Sequence, residues 1–169
     1  DLHEPRLEQI LRVSGFALPP ATDGGEDIPV VRFPVWVYCP SCHLLAEHRH
    51  FAGVFENRCR QCGVFLIPSR FVACCPRGHI EDFPYFNWIH AGKKRSKSTN
   101  HELRIDSGGD TASLRNVKVS CSCGADRTME GAFARTALSG IKPCSGRRPW
   151  LGHDDDACGE TLRTLQRGA

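Results

Sequence analysis

Near the start of the chain, apolar residues recur at helical spacing. Leu7, Ile10 and Leu11 fall on one face of a helix. Pro5 precedes them, where the first helical turn tolerates proline, and Gly15 follows as a stop signal. The pattern predicts a short N-terminal helix.

Further along, the pattern predicts short strands, several of which lead into cysteines. Apolar side chains occupy every second position from residue 31 to 38, which predicts a strand ending at Cys39. The stretches "VFLIPSRFVACC", "HELRID" and "NVKVSCSCG" have the same character, and the last leads into Cys121. Ala132, Phe133 and Leu138 lie at helical spacing, so a helix is predicted over residues 126–139.

Composition places this 169-residue chain among globular proteins, with 40% hydrophobic and 24% charged residues. It holds ten cysteines, and its 16 glycines and 11 prolines indicate many turns. Pieces of roughly 40 to 60 residues bury too little apolar surface to fold without disulfides or metals. No stretch approaches the roughly 20 apolar residues that span a bilayer, nor is there a signal-peptide pattern, so we expect a cytoplasmic protein.

Two C-x2-C pairs separated by sixteen residues form the clearest motif. A C-x2-C turn lets two sulfurs reach one ion, and two such turns complete a tetrahedral zinc site. Gly63 follows the second pair, where the turn favours a positive φ. The motif predicts a zinc ribbon whose ligands are Cys39, Cys42, Cys59 and Cys62.

A redox pair or disulfides remain as alternatives for these cysteines. A thioredoxin-like pair needs a βαβ context that the pattern does not show, and disulfides need an oxidising compartment. A closed four-ligand site leaves no position for substrate, which favours a structural metal.

A second four-cysteine site is predicted from a C-x-C pair and two later cysteines, Cys121, Cys123, Cys144 and Cys158. The alternative is that these are free cysteines packed as small hydrophobic residues. A third site could use Cys75, His79, His90 and His101, whereas single histidines are more often structural or surface residues. Cys74 is expected in the core.

These motifs predict a small, irregular α+β protein of zinc-ribbon-like β-hairpins and short helices, held by two or three zinc ions. We expect an N-terminal helix and arm at 1–30, a zinc ribbon at 31–73 and a second zinc-binding module at 74–169. The chain opens without Met and ends abruptly, so we also expect it to be part of a longer protein.

Catalysis is not expected. The stretches "HIED" and "HDDD", the latter His153 to Asp156, could serve a metal-dependent nuclease, but an acidic turn explains the second equally well. Most thiols stand in ligand spacing, and no phosphate-binding glycine loop of the Walker type is present, so no small-molecule substrate is expected.

Charge is distributed unevenly. Residues 1–30 hold six acids and two arginines, whereas the whole chain carries +3, so the cysteine-rich part is basic. Two basic loops could contact DNA phosphates without reading sequence, with Trp150 available to stack on an unpaired base. Their cations are Lys93, Lys94, Arg95, Lys97, Arg147 and Arg148. Such clusters are also common on solvated surfaces.

A different hypothesis is a scaffold that docks on a protein partner and does not contact DNA. Protein interfaces are enriched in aromatic residues. The candidate surface comprises "DFPYFNWI" and Trp36.

Several motifs in the same order resemble one bacterial family. The stretches "FVACCPRGHIEDFPYFNWIH", "LRNVKVSCSCGADRTMEGAF" and "CSGRRPWLG" are similar to the DrmB-type proteins of the DISARM anti-phage systems. The resemblance covers about residues 6–168. It implies a zinc-binding accessory subunit that partners a large helicase-like protein and helps it engage foreign DNA, as part of a longer chain.

The resemblance also implies ligand roles for the same eight cysteines of the two all-cysteine sites, and places Cys75 and His79 in the intervening motif. Relatives often have a cysteine near the position of His101. Because imidazole can replace thiolate, this departure is compatible with a third site.

Overall fold

The computed structural model describes residues 2–18, 30–53, 55–92, 100–107, 113–151 and 158–167. Two compact units are present, Asp1–Val31 and Arg32–Ala169. Within the described residues, no helix is both long and apolar enough to cross a membrane.

The N-terminal unit contains the predicted helix, α1 (Pro5–Leu11). The Glu4 carboxylate accepts a hydrogen bond from the Arg6 amide at 3.3 Å and caps the first turn. The helix ends at Arg12, which is left-handed with φ 55°, three residues before the predicted stop at Gly15. None of its residues is buried.

The larger unit contains two antiparallel sheets. The first has six strands in the order β3-β1-β2-β6-β7-β8. These are β1 (Trp36–Tyr38), β2 (Leu44–Glu47), β3 (Ile67–Pro68), β6 (Leu103–Asp106), β7 (Lys118–Cys121) and β8 (Asp126–Thr128). The second has the order β5-β4-β9, namely β4 (Phe71–Cys74), β5 (Ile80–Asp82) and β9 (Arg163–Gln166). One further helix, α2 (Tyr85–His90), follows β5.

The predicted small mixed fold with few helices is confirmed for the described residues. Strands were predicted around Cys39, in the "VFLIPSRFVACC" stretch and before Cys121, and β1, β3, β4 and β7 lie there. Because β2 pairs with β6, the first sheet joins the predicted ribbon to the later module. The predicted boundary between residues 73 and 74 stays a prediction.

The predicted helix over residues 126–139 is wrong. β8 occupies its start, and a series of turns follows, such as the one closed by the Ala132 amide and the Met129 carbonyl at 3.1 Å. Gly131 has φ 75°, which interrupts any right-handed helix. Met129, Ala132 and Leu138 are nevertheless buried, so the apolar spacing reflects core contacts made from turns.

Most of the docking surface predicted from "DFPYFNWI" and Trp36 is buried, although Phe86 and Trp36 are half-buried. Phe83, Tyr85, Trp88 and Ile89 are at most 1% exposed and form the centre of the main core. The Phe83 and Tyr85 rings lie 4.9 Å apart, edge to face, and the Tyr85 hydroxyl is hydrogen-bonded to Ser69 at 2.7 Å. These four side chains pack α2 and the end of β5 into the core, so a partner cannot reach them.

Candidate metal centres

Among the described residues of the larger unit, three groups of four cysteine or histidine side chains converge. In each group, the ligand atoms all lie within 4.8 Å of one another. The groups combine residues from distant parts of the chain. We call them the first cluster (Cys39, Cys42, Cys59, Cys62), the second cluster (Cys75, His79, Cys144, Cys158) and the third cluster (His90, His101, Cys121, Cys123).

The first cluster is built from two similar tight turns. After β1, the Cys39 amide donates to the Leu44 carbonyl at 3.0 Å, and the His43 amide donates back to the Cys39 carbonyl at 2.9 Å. His43 adopts φ 62°, as the turn requires. The Cys42 amide also points at the Cys39 sulfur, at 3.4 Å. These bonds aim both sulfurs of the pair at one point.

The second turn of the first cluster repeats this geometry. The Cys59 amide donates to the Val64 carbonyl at 2.8 Å, and the Gly63 amide donates to the Cys59 carbonyl at 2.7 Å. Gly63 has φ 70°, the conformation predicted for it. The four cysteines predicted to share one site are therefore brought together.

The second cluster begins at the end of β4. The Cys75 amide donates to the His79 carbonyl at 3.1 Å, so the C-x3-H segment closes into a turn with Gly78 at φ 81°. His79 Nδ1 lies 3.4 Å from the Cys75 sulfur and 3.7 Å from the Cys144 sulfur. His79 is 4% exposed, so this cluster is mostly shielded from water.

A backbone loop supplies the remaining sulfurs of the second cluster. The Cys144 amide donates to the Glu160 carbonyl at 2.9 Å, and the Gly159 amide donates to the Cys144 carbonyl at 3.0 Å. This pairing places Cys158 beside Cys144. The Gly146 amide lies 3.4 Å from the Cys144 sulfur.

The third cluster joins α2 to the β6–β7 hairpin. His90, at the end of α2, has Nε2 3.3 Å from the Cys123 sulfur. His101 precedes β6, and its Nδ1 lies 3.1 Å from the Cys121 sulfur. The Gly124 amide closes the turn onto the Cys121 carbonyl at 2.9 Å. Two nitrogen and two sulfur donors thus face one another.

Burial and the repulsion between neighbouring thiolates shift the pKa values of several cysteines in the clusters. Burial raises the pKa of Cys42 to about 12 and that of Cys144 to about 11, and neighbouring thiols add to both shifts. Burial also opposes ionisation of Cys39, but donors led by the Cys42 and Ser41 amides lower its pKa to about 7. One thiolate in the first cluster is therefore favoured, whereas further thiolates require a nearby cation.

The donor sets fit a tetrahedral zinc ion. Zinc takes four thiolate or imidazole ligands in structural sites, and each cluster supplies exclusively those two types. All ten cysteines are free thiols, so no disulfide competes for the sulfurs. Cys74, predicted in the core, is half-buried and lies outside the three clusters.

The grouping predicted for the second and third sites is corrected. Cys121 and Cys123 do not join Cys144 and Cys158, nor do Cys75 and His79 join His90 and His101. The cause is strand pairing. β4 leads into Cys75 and pairs with β9, which follows Cys158, whereas β6 and β7 pair so that Leu103 lies opposite Cys121.

The predicted DNA-contacting residues are only partly described. Lys93, Lys94, Arg95 and Lys97 lie outside the described residues, as does the segment His153 to Asp156. Arg147 is exposed and Arg148 is half-buried, in the loop that follows Cys144. Trp150 is 58% exposed.

The carboxylates of "HIED" have structural partners. Glu81 is 3% exposed, forms an ion pair with Lys142 and accepts a hydrogen bond from the Ser145 amide at 3.0 Å. Asp82 accepts a hydrogen bond from the Trp36 amide at 3.0 Å. Sequence reasoning missed these two carboxylates as supports of the Cys144 loop and β1, because their partners lie 46 to 64 residues away.

The described residues define a small mixed fold with three groups of cysteine or histidine side chains, each able to hold a metal ion. The model of the family described as a domain of unknown function, DUF8724, matches residues 1–169, and the chain belongs to that family. The chain is also 29% identical over 175 residues to the DISARM protein DrmB of Bacillus paralicheniformis. That match covers 99% of this chain and 30% of the relative, and it confirms the predicted resemblance to DrmB-type proteins.

Proposed function

We propose that the chain is a non-catalytic zinc-binding module of an anti-phage defence complex, that it partners a helicase-like subunit and that it helps engage DNA. The observation that carries the proposal is the set of three four-ligand clusters in a chain similar to a DISARM protein. The relative is about three times longer, since the chain spans 30% of its length, so the whole protein's activity is part of the proposal.

The metals would act on folding. The second and third clusters tie together segments far apart in sequence, such as Cys75 with Cys158 or His90 with Cys123. Four protein ligands leave no coordination position for water or substrate, which supports a structural role over hydrolysis. Binding of structural zinc contributes directly to the free energy of folding.

DNA would be engaged through the basic loops. Arg147 and Arg148 lie in the loop after Cys144, separated from it by Ser145 and Gly146, so zinc at the second cluster would fix the start of the loop that carries them. Phosphate contacts of this kind are independent of sequence and weaken as salt rises. The exposed Trp150 adds an aromatic surface to the same loop.

Two measurements test the proposal. Elemental analysis of the purified chain should give about three zinc equivalents, and fewer would leave at least one cluster without a metal. DNA binding should then be measured for wild type, Arg147→Gln/Arg148→Gln and Lys93→Gln/Lys94→Gln. Loss of one phosphate contact lowers the salt slope by roughly 0.7 to 0.9.

A matched control is available at the start of β7 and in the turn before it. Arg115 and Lys118 are ion-paired with Glu130 and Asp126 at 2.8 and 3.2 Å. Arg115→Gln/Lys118→Gln removes the same charge and should leave DNA binding unchanged. If all three double variants weaken DNA binding equally, the basic loops contribute only general positive charge and are not a specific contact surface. Failure of the chain to capture a helicase-like subunit would contradict the proposed partnership.

A further inference from the structure

The first cluster presents an aromatic and cationic surface on its outer side. Phe65 follows the second cysteine pair and is 60% exposed, while Phe55 is fully exposed at 101%. The Arg58 guanidinium carbon lies 3.8 Å from the centroid of the Phe65 ring. Arg60 is exposed at the tip of the same turn. We call Arg58, Arg60 and Phe65 the ribbon patch.

The ribbon patch faces away from the core because of strand alternation. Leu66 is 3% exposed and Cys59 is 2% exposed, whereas their neighbours Phe65 and Arg58 point to solvent. Arg58 and Phe65 form an antiparallel bridge, and the Leu66 amide donates to the Asn57 carbonyl at 3.0 Å. The backbone pairing therefore places the Phe65 ring and the Arg58 guanidinium side by side on the surface.

The arginine is held in place before any ligand binds. One terminal nitrogen of Arg58 donates to the Gly63 carbonyl at 2.9 Å while the guanidinium lies over the ring. A side chain that is already ordered loses less conformational entropy on binding. Because Gly63 and Cys59 belong to the first cluster's turn, the same turn positions the patch and the predicted zinc ligands.

The positive charge of the patch indicates which kind of ligand it binds. The patch itself holds two cations, Arg58 and Arg60, and residues 57–80 contain four arginines and no acidic residue, although the exposed Glu56 immediately precedes them. An exposed ring beside arginines matches the two needs of single-stranded nucleic acid, a face for base stacking and cations for the backbone. Bases in a duplex are already stacked, so a ring on this open surface reaches only unpaired ones.

We propose that the ribbon patch binds single-stranded DNA by stacking one base on Phe65 beside Arg58 while Arg60 contacts the backbone phosphates. This inference rests on the proposed function, since it names the DNA form and a second contact surface for the same module. It assigns sequence-tolerant binding, because every base has a face that can stack.

The experiment compares variants of the zinc-loaded chain by fluorescence anisotropy. The probes are a labelled single strand longer than the roughly 4 to 16 nucleotides that one small binding module covers, and its duplex. Phe65→Ala should weaken single-strand binding about 10-fold to 100-fold, with little effect on the duplex or on the salt slope. Arg60→Gln removes the proposed phosphate contact and should lower the slope by roughly 0.7.

Two variants make the comparison specific. Leu165→Ala removes an apolar side chain that is 46% exposed on β9, away from the patch, and should bind like wild type. Phe65→Trp keeps an aromatic face, so it should bind like wild type. The single strand should quench its tryptophan fluorescence more than that of wild type, which already contains three tryptophans, whereas the duplex should quench the two proteins alike. Unchanged zinc content shows that each variant retains its fold.

The outcomes separate this inference from the proposed function. If Phe65→Ala behaves like Leu165→Ala while Arg147→Gln/Arg148→Gln weakens binding, the patch is refuted and the basic loops stand. Equal weakening of single strand and duplex refutes base stacking. Loss of partner capture with unchanged DNA binding makes the patch a protein-docking surface. If wild type binds neither DNA at low salt, both proposals fail.

Discussion

His90 and Cys123 are separated by 33 positions, yet the histidine Nε2 lies 3.3 Å from the cysteine sulfur. The other ring nitrogen, Nδ1, lies 2.7 Å from the Phe86 carbonyl within α2. When Nδ1 donates to this carbonyl, Nε2 keeps its lone pair and is directed at the cluster. The helix thus fixes both the position and the tautomer that a metal ligand needs.

The corrected grouping predicts which ligands act together. His101→Ala and Cys123→Ser should each remove about one zinc equivalent, and the double variant should remove no more, because both residues serve the third cluster. His101→Ala combined with Cys75→Ser should remove about two. Elemental analysis of the four variants decides between this grouping and one that places His101 with Cys75.

Only the first cluster could be grouped from sequence, and the reason is physical. Its ligands lie in two adjacent C-x2-C turns, so local spacing alone brings the sulfurs together. The second and third clusters depend on β4 pairing with β9 and on α2 packing against β7 and β8. Those contacts are long-range, and the sequence identified the ligands without showing which strands would meet.

After residue 128, local spacing predicted an element that the structure does not contain. Apolar residues three or four apart suggested a helix, but Gly131 at φ 75° and successive turns place Met129 and Leu138 in the core without one. The segment "DFPYFNWI" was likewise misread, because aromatic composition does not distinguish an interface from an interior. Tertiary packing decided both cases.

Removal of metal should destabilise the Arg32–Ala169 unit. Three clusters tie its strands together, and structural zinc contributes on the order of 10 kcal/mol in small zinc domains. Under reducing conditions, a chelator should therefore lower the melting temperature by tens of degrees or abolish the cooperative transition. Calorimetry with and without chelator measures this. An unchanged transition would show that apolar packing alone maintains the fold.

His101→Cys should preserve the third cluster. His101 Nδ1 already lies 3.1 Å from the Cys121 sulfur, and thiolate is as good a zinc ligand as imidazole. Zinc stoichiometry should stay the same, and cobalt bound to the variant should show stronger sulfur-to-metal absorption than in wild type. His101→Ala is the control, since it removes the ligand without replacing it.

Asp82 should make stability depend on pH. Burial raises its pKa above 3.8, partly offset by the Trp36 amide hydrogen bond. The folded state therefore holds the proton more tightly than the unfolded state, and this contribution is present below about pH 4 and lost as pH rises through the folded pKa. Asp82→Asn keeps an acceptor for Trp36 and removes the buried charge.

The variant should consequently gain stability over wild type as the pH rises from about 4 through the folded pKa of Asp82. The difference in melting temperature between the two proteins is the quantity to follow, because pH effects on the metal ligands are common to both. A difference that stays constant over this range, or that shrinks toward neutral pH, would contradict the argument.

Breaking the ion pair between the buried Glu81 and the partly buried Lys142 should cost more stability than replacing both residues with uncharged ones. Glu81 is 3% exposed and supports the loop of Cys144 through the Ser145 amide at 3.0 Å. Lys142→Met leaves the carboxylate buried without its cation and should cost about 1 to 3 kcal/mol of unfolding free energy, less than for a fully buried pair because the Lys142 side chain is 32% exposed. Glu81→Gln/Lys142→Met should recover most of that loss, because the amide oxygen still accepts from Ser145 and no charge remains buried.

Denaturant unfolding of the single and double variants measures the coupling between the two residues. The control is Lys118→Met, at the exposed pair with Asp126, which is expected to cost under about 1 kcal/mol. Additive single and double effects would show that the pair contributes nothing to holding the second cluster's loop.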